Sequence, residues 1–334
     1  MSNAYQRFEH ASQSYEEICI LGATAELDLL TPLTQSAMSA AELTKLRATD
    51  LRATVMVLDA LTSLGFLEKS ADTQPLYRVA AEYRELLDIN HPNTFVPMLR
   101  HRLNCIRQWV EMSRTIKSGK PMDRVVSPLG AEEDYRSFVL AMNSVGIAFA
   151  AKVVDNLEKI GLLQFKHLLD VGGASGTYTL AMLERNPSAQ ATIFDRPAAI
   201  EEAKKRFAGT RFASQLHYAS GDFDYDELPA GTDFAWVSAI IHQFGRETSQ
   251  SLYRKIYRAL DAGGTIAVRD HILDATRTKP TSGLLFAINM LTATQTGMCY
   301  TFDEVKEDLE TAGFSNVCFA VPTDDMGSIV TAKK

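Results

Sequence analysis

Basic residues are the minority here: 34 Lys and Arg stand against 41 Asp and Glu, a formal net charge of −7. Phosphate backbones demand clustered cations, so this balance argues against a nucleic acid as partner. No uninterrupted apolar run reaches the roughly 18 residues that span a bilayer, and no membrane contact is expected. The opening stretch, Met1-Ser-Asn-Ala-Tyr-Gln-Arg-Phe-Glu-His10, lacks the basic-then-apolar layout of a secretion signal. Cysteine is scarce as well: Cys19, Cys105, Cys299 and Cys318 are widely separated and form no Cys-x-x-Cys pair. Reduced thiols in a cytoplasmic protein are the expectation. The seven histidines include no His-x-x-x-His pair, so no metal site is expected. His271 adjoins Asp270, but neighbours on a strand face opposite sides. Repeats, low-complexity tracts and Pro/Gly linkers are missing too, and 334 residues are enough for two domains.

Three glycines within five residues are the strongest local signal. The stretch His167-Leu-Leu-Asp170-Val-Gly172-Gly173-Ala-Ser-Gly176 ends a short apolar run in an acid and turns into a helical segment. Ala191-Thr-Ile-Phe-Asp195 then ends a second run in another acid. Strand, glycine turn, helix, strand, carboxylate is the opening of a parallel α/β nucleotide-binding unit. Glycine lets a bulky ligand approach the backbone where Cβ atoms would block it. Asp195 is placed to accept hydrogen bonds from two ribose hydroxyls. A dinucleotide fingerprint would need glycines at 172, 174 and 177, but Ala174 and Thr177 stand there, and no Gly-Lys-Ser/Thr marks a P-loop. The third strand ends in Gly221-Asp222-Phe223. There the acid can accept from an adenine amino group while Phe223 flanks the ring. The fourth strand, running from Trp236, brings His242 to the mouth of the same cleft, outside the carboxyl ends of the strands.

Residues 14–68 read as helices, with Ser39 as an N-cap, an apolar face of Val55, Val57, Leu58, Leu61 and Leu64, and Gly65 as the stop. Tyr77-Arg-Val-Ala follows as a short strand, giving a helix-helix-strand unit of winged-helix type. Helices at 98–115 and 133–160 come next. Beyond Phe165, strands at 168–171, 191–195, 215–220, 234–240, 265–270, 317–321 and 328–332 alternate with helices at 178–185, 197–207, 247–260 and 302–312. Repeated β-α-β units imply a parallel sheet with helices on both faces. The short connection 322–327 makes the last two strands a hairpin, so the sheet ends antiparallel. The expected fold is α/β: a C-terminal Rossmann-like sheet, mostly parallel with an antiparallel last strand, plus a mainly α-helical N-terminal winged-helix domain. Residues 1–95 form the latter, 96–160 a helical linker, and 161–334 the sheet domain.

At this point the chain resembles the class I S-adenosylmethionine (SAM) methyltransferases, and among them the small-molecule O-methyltransferases that include plant caffeic acid enzymes and bacterial polyketide tailoring enzymes. The matching residues are Asp170-Val-Gly-Gly, Phe194-Asp195-Arg-Pro197, Gly221-Asp222-Phe223, Ile240-Ile-His242, Ala312-Gly-Phe314, Ala41-Glu-Leu and Leu58-x-x-Leu-x-x-Leu-Gly65-Phe. The resemblance implies a winged-helix region that dimerises the protein and helices before the sheet that roof the substrate site. It implies SAM at Asp170, Gly172, Gly173, Gly176, Asp195, Asp222, Phe223 and Ser238, with S-adenosylhomocysteine as product. It makes His242 the general base and Asp270 the acid that orients it, and it puts Asn289 and Met290 on a helix facing the substrate. Three departures stand out. Gln243-Phe244 follows the histidine where plant enzymes carry Asp-Trp. Cys299, in Gly297-Met-Cys-Tyr-Thr301, replaces a second orienting Glu, and Ser238 replaces a Lys.

Methyl transfer from a sulfonium asks the protein for alignment, with the nucleophile about 3–3.5 Å from the methyl carbon, and for removal of a proton. The pocket should be mostly apolar, drawing on Phe138, Met142 and Ile147 of the roof helix with Trp236, Phe244, Asn289 and Met290. That set suits a flat aromatic or polyene-like acceptor, methylated on a hydroxyl. Arg100 and His101 read as a solvated face. The Cys299 segment keeps a carbon-methyltransferase, or a SAM-binding hydroxylase or decarboxylase, as alternatives. A SAM-sensing DNA-binding regulator is the other class of reading. Its recognition segment, Asp50-Leu-Arg-Ala-Thr-Val-Met-Val-Leu-Asp59, carries one Arg against two Asp and suits a dimer interface better.

Overall fold

The computed structural model describes residues 3–334. The chain divides into two compact units, Met1–Val110 with Asp123–Ser144, and Glu111–Met122 with Val145–Lys334.

The first unit holds helices α1 (Asn3–Gln13), α2 (Glu16–Glu26), α3 (Leu30–Gln35), α4 (Ala40–Arg47), α5 (Leu51–Ser63), α6 (Arg84–Leu87) and α7 (Val96–Trp109). Strands β1 (Met38–Ser39), β2 (Leu67–Lys69) and β3 (Leu76–Val79) form an antiparallel sheet in the order β1-β3-β2. Ser39 caps α4 as its sequence suggests: its hydroxyl accepts from the Glu42 amide, and the Glu42 carboxylate accepts from the Ser39 amide. Leu58 and Leu61 of α5 are fully buried with Leu33, Leu43 and Val79. Leu64 is 46% exposed instead, because α5 ends at Ser63 and the chain turns away at Gly65 (φ 86°). Arg100 is not on a solvated face. It is 6% exposed, donates through Nε to the Ala25 carbonyl at 2.9 Å and pairs with Glu133 at 3.0 Å. His101 is half-buried against Phe138, with ring centroids 5.3 Å apart. Burial, helped by the charges of Arg102 and Arg124, pushes its pKa down to about 4.

Between residues 98 and 115 the expected single helix is two, α7 and then α8 (Met112–Ser118). The break falls where the chain passes from the first unit to the second. Helix α9 (Ala131–Lys159) crosses that division again, at 144 and 145. Its best 18-residue window has a mean hydropathy of 1.7, so by length and composition it is long and apolar enough to cross a membrane. Asn143, Ser144 and Gly146 interrupt the apolar run and hide this from a search for unbroken stretches. Its later residues Val153, Val154 and Leu157 are committed to the core of the second unit.

That unit continues with β4 (His167–Val171), α10 (Thr177–Arg185), β5 (Gln190–Asp195), α11 (Pro197–Phe207), β6 (Leu216–Ser220), β7 (Thr232–Ser238), α12 (Arg246–Ala259), β8 (Leu260–Asp270) and β9 (Ile272–Leu273). It ends with α13 (Thr281–Ala293), β10 (Tyr300–Thr301), α14 (Phe302–Thr311), β11 (Ser315–Val321) and β12 (Ser328–Lys333). Seven strands make one sheet in the order β11-β12-β8-β7-β4-β5-β6. Strand β12 runs antiparallel to both neighbours, as the short 322–327 connection requires, and β4 to β8 are parallel. Alternation along each strand feeds two cores. Leu169, Val237, Ile266 and Val268 face one of them; Leu168, Phe234, Trp236 and Ala267 face the other.

Candidate active site

Strand order reverses at β4, which pairs with β5 on one side and β7 on the other. Open parallel sheets form their ligand crevice outside the carboxyl ends of the strands at such a switch point. Asp170 lies in β4 near that end, Asp195 closes β5, Asp222 follows β6, Ser238 closes β7 and Asp270 closes β8.

After β4 the backbone is left-handed at Gly172 (φ 69°), Ala174 (48°) and Gly176 (75°). Ligand approach alone does not account for these glycines. A Cβ on Gly173 would stand 2.7 Å from Asp170 Cγ, and one on Gly176 would stand 2.6 Å from the Phe207 ring. The protein's own packing presses on the turn from beneath. Arg206 of α11 staples it from the side, donating to Thr177 Oγ1 at 2.6 Å and Ser175 Oγ at 3.1 Å. The Ala174 amide donates to Asp195 Oδ2 at 2.8 Å and the Arg196 amide to Oδ1 at 2.6 Å. Two backbone donors thereby fix a half-buried carboxylate and leave each oxygen with further acceptor capacity.

Asp170 sits behind the turn, 2% exposed, and accepts from Thr179 Oγ1 at 2.5 Å. Burial drives its pKa up to about 7, against the Thr179 hydrogen bond and reinforced by the Asp195 charge. Asp222 is more open. Its Oδ1 accepts from the Asp224 amide at 3.0 Å, and Arg196 Nη2 stands 3.8 Å from Oδ2. Phe223 meets Phe244 edge-on at 5.4 Å. Ser238 Oγ accepts from Arg269 Nη1 at 2.7 Å.

Beyond β7, Ala239 takes a left-handed φ of 58° and a tight turn, Ile241–Gln243, presents His242. His242 Nδ1 lies 2.8 and 2.9 Å from the two carboxylate oxygens of Asp270. The His271 amide donates to Asp270 Oδ1 at 2.8 Å. Burial acts to raise the Asp270 pKa, but the charge and hydrogen bond of His242 and the His271 amide outweigh it, holding the carboxyl below its usual range. A carboxylate on Nδ1 places the ring hydrogen there and leaves Nε2 as the acceptor. Cys299 is 1% exposed. Burial pushes its thiol up to about 12, with the Asp270 charge adding to the rise, so it stays protonated and brings no second negative charge.

Strand β8 stops at Asp270, one residue short of His271. The rings of His242 and His271 both pack on Phe286 of α13, at 4.8 and 4.9 Å. Met290 is buried and Asn289 half-buried on the same helix. Trp236 is fully buried against Tyr178, so it is core and not pocket wall. Phe138 and Met142 belong to the first unit, each 39% exposed there. Among the described residues, no group of three or more His, Cys, Asp or Glu side chains is placed to hold a metal. Sequence reasoning missed Phe286 and Arg269. An Arg inside the apolar Thr-Ile-Ala-Val-Arg-Asp270 run was the available signal for the second.

An acceptor carboxylate at Asp195 and an aromatic ring at Phe223, beside a glycine turn, are the kinds of group that fit the ribose and adenine of SAM. A model of the O-methyltransferase domain matches residues 129–315, more than half of the chain. The tetracenomycin polyketide synthesis 8-O-methyl transferase TcmO of Streptomyces glaucescens is 28% identical over 302 residues, covering 88% of this chain and 87% of its own. The 3-hydroxy-5-methyl-1-naphthoate 3-O-methyltransferase of Streptomyces sahachiroi is 26% identical over 266 residues, covering 78% of this chain and 75% of its own. Human N-acetylserotonin methyltransferase, solved in complex with SAM, shares the fold with a TM-score of 0.82 at 22% identity, over 100% of this chain and 98% of that one. The chain thus belongs to the O-methyltransferase family, enzymes that draw their methyl group from SAM.

Proposed function

We propose that this enzyme methylates a hydroxyl of an aromatic or related secondary metabolite, with His242 as general base. The buried contact of His242 Nδ1 with both Asp270 oxygens carries the reading. It leaves Nε2 free to take the acceptor's proton, and Asp270 steadies the imidazolium that forms. Such a base contributes about 10²–10⁴-fold. When bound, SAM supplies an electrophilic methyl group. The residues that would hold it are Asp195 at the ribose, Asp222 with Phe223 at the adenine, and the turn of Gly172, Gly173 and Gly176 with Asp170 and Ser238 at the methionine moiety. Asn289 and Met290 of the second unit are our candidates for the acceptor pocket, and Phe286 joins them through its contact with His242. TcmO is named for polyketide synthesis and the Streptomyces sahachiroi enzyme for a hydroxylated naphthoate, which favours a fused aromatic acceptor.

The same reading assigns residues 1–95 to a winged-helix dimerisation domain, 96–160 to a linker and roof, and 161–334 to the catalytic domain. Exposed Leu46, Leu51, Met56 and Leu64 support a homodimer built on the first unit. Four free thiols support a cytoplasmic location.

The test is transfer of labelled methyl from SAM to a panel of hydroxylated aromatics and host-cell extract, read by mass. Label on oxygen, slowed at least about 10²-fold in His242→Ala while S-adenosylhomocysteine still binds, is the expected result. A mutant rate within a few-fold of wild type would remove the base assignment. Label on carbon would favour the carbon-methyltransferase alternative.

A further inference from the structure

Arg269 precedes Asp270 in β8, so strand alternation sends its side chain to the opposite face of the sheet. That face carries the apolar Trp236 and Ala267, with Asp170 beside Trp236 and Ser238 beside Arg269. Arg269 is nevertheless 2% exposed. Its Nη1 donates to Ser238 Oγ, its guanidinium lies 5.0 Å from the Tyr178 ring and 6.0 Å from the Phe149 ring, and its Nε has no hydrogen-bond partner. Among the described residues, no carboxylate stands within ion-pair distance of it. A desolvated cation is costly unless something pairs with it. Aromatic faces recover part of that cost at a desolvated site, less than a buried charge loses.

The guanidinium lies at the carboxyl end of the sheet, bonded to its register neighbour Ser238 in the last position of β7. Ser238 and Tyr178 are both half-buried, and both meet the guanidinium, Ser238 through Oγ and Tyr178 through its ring. Ser238 closes β7 and Tyr178 lies in the first turn of α10, directly after the glycine turn. A guanidinium and two hydroxyls therefore converge where the crevice opens beside that turn. The amino-acid end of SAM carries a sulfonium, an ammonium and one carboxylate, and only the carboxylate is attracted to a guanidinium.

We infer that Arg269, with Ser238 and Tyr178, seats the carboxylate of the methionine moiety of SAM. This rests on the reading of the crevice as the cofactor site. Arg269 acts as a positioning residue: it holds the bound methionine moiety in a single orientation and keeps its own charge paired.

The test compares two ligands that differ in the amino-acid end, S-adenosylhomocysteine and 5′-methylthioadenosine, by calorimetry on the full-length protein. In Arg269→Met we expect the first to bind about tenfold more weakly or worse, and the second within twofold of wild type. Arg269→Lys should fall between, since an ammonium lacks the planar fork. Ser238→Ala, which keeps the guanidinium, should also weaken only S-adenosylhomocysteine, and it serves if Arg269→Met fails to fold. Equal losses for both ligands, or none for either, would overturn the assignment and leave the crevice reading intact. If the wild-type protein binds neither ligand, the crevice reading falls and takes this inference with it.

Discussion

Gly297 backs onto His242 so closely that a Cβ there would lie 2.5 Å from the His242 carbonyl oxygen and 3.0 Å from Gln243 C. The obstacle is backbone, which cannot rotate aside as a side chain can. The loop that carries Gly297 is itself tied down: its amide donates to Thr294 Oγ1 at 2.9 Å, and the Gly245 amide donates to Thr296 Oγ1 at 3.0 Å. In Gly297→Ala we therefore expect the turn bearing His242 to shift. A displacement of about 1 Å at a reacting group costs on the order of 10²-fold, so kcat should drop by about tenfold or more. S-adenosylhomocysteine affinity, read by calorimetry, should stay within a few-fold. Unchanged turnover would show that the loop does not set the position of His242.

Asp270→Asn tests the partner of the base. The amide keeps the shape of the carboxylate but not its charge, so an imidazolium at His242 loses its buried counter-ion. We expect kcat to fall about 10²-fold or more, with KM for SAM little changed because Asp270 faces away from the carboxyl-end acids of β5 and β6. A rate loss carried wholly in KM would instead mean that the pair shapes the binding site.

Much of this site was legible because its signals are local. An acid closing an apolar run, followed by clustered glycines, can be read residue by residue, and the seven sheet strands of the second unit lie where alternation put them. Ser39 was legible for the same reason, its capping partner being three residues away. Arg269, Phe286 and Gly297 were hidden because each acts across the fold. Arg269 matters through Ser238, 31 residues away, and Gly297 through a backbone atom 55 positions earlier in the chain (297 − 242). The glycine turn was placed correctly but explained too narrowly: three of its neighbours, Asp170, Ile193 and Phe207, leave no room for side chains there with or without a ligand.

Asp170 predicts how stability responds to pH. Its folded pKa of about 7 lies above the ordinary 3.8, so the folded protein holds this proton more tightly than the unfolded chain. The contribution is full below about pH 4 and is lost as pH rises toward 7. The ligand-free enzyme should thus lose stability across that window from this group, and Asp170→Asn should flatten the slope, since its amide oxygen still accepts from Thr179. Denaturant melts at half-unit pH steps measure it. Parallel slopes for both proteins would place the proton elsewhere.

Arg246 opens α12 three residues after the turn that carries His242, and it ties that helix to α14. It donates to the buried Asp308 carboxylate through Nε at 3.0 Å and Nη2 at 2.6 Å, and Gln250 adds a third donor at 2.7 Å. Removing one partner of a fully buried pair costs about 3–5 kcal/mol, because the other charge is stranded. Arg246 is one-third exposed, so water can reach the gap, and Gln250 remains. For Arg246→Ala we therefore expect about 2 kcal/mol, below the fully buried range, measured as a lower denaturant midpoint with an unchanged slope. Removing both charges, Arg246→Met with Asp308→Leu, should recover some of that loss, since no desolvated charge is left. If the single mutant costs under about 0.5 kcal/mol, the value of an ordinary exposed pair, then Asp308 is already satisfied by Gln250 and solvent, and α12 is held to α14 by its apolar face alone.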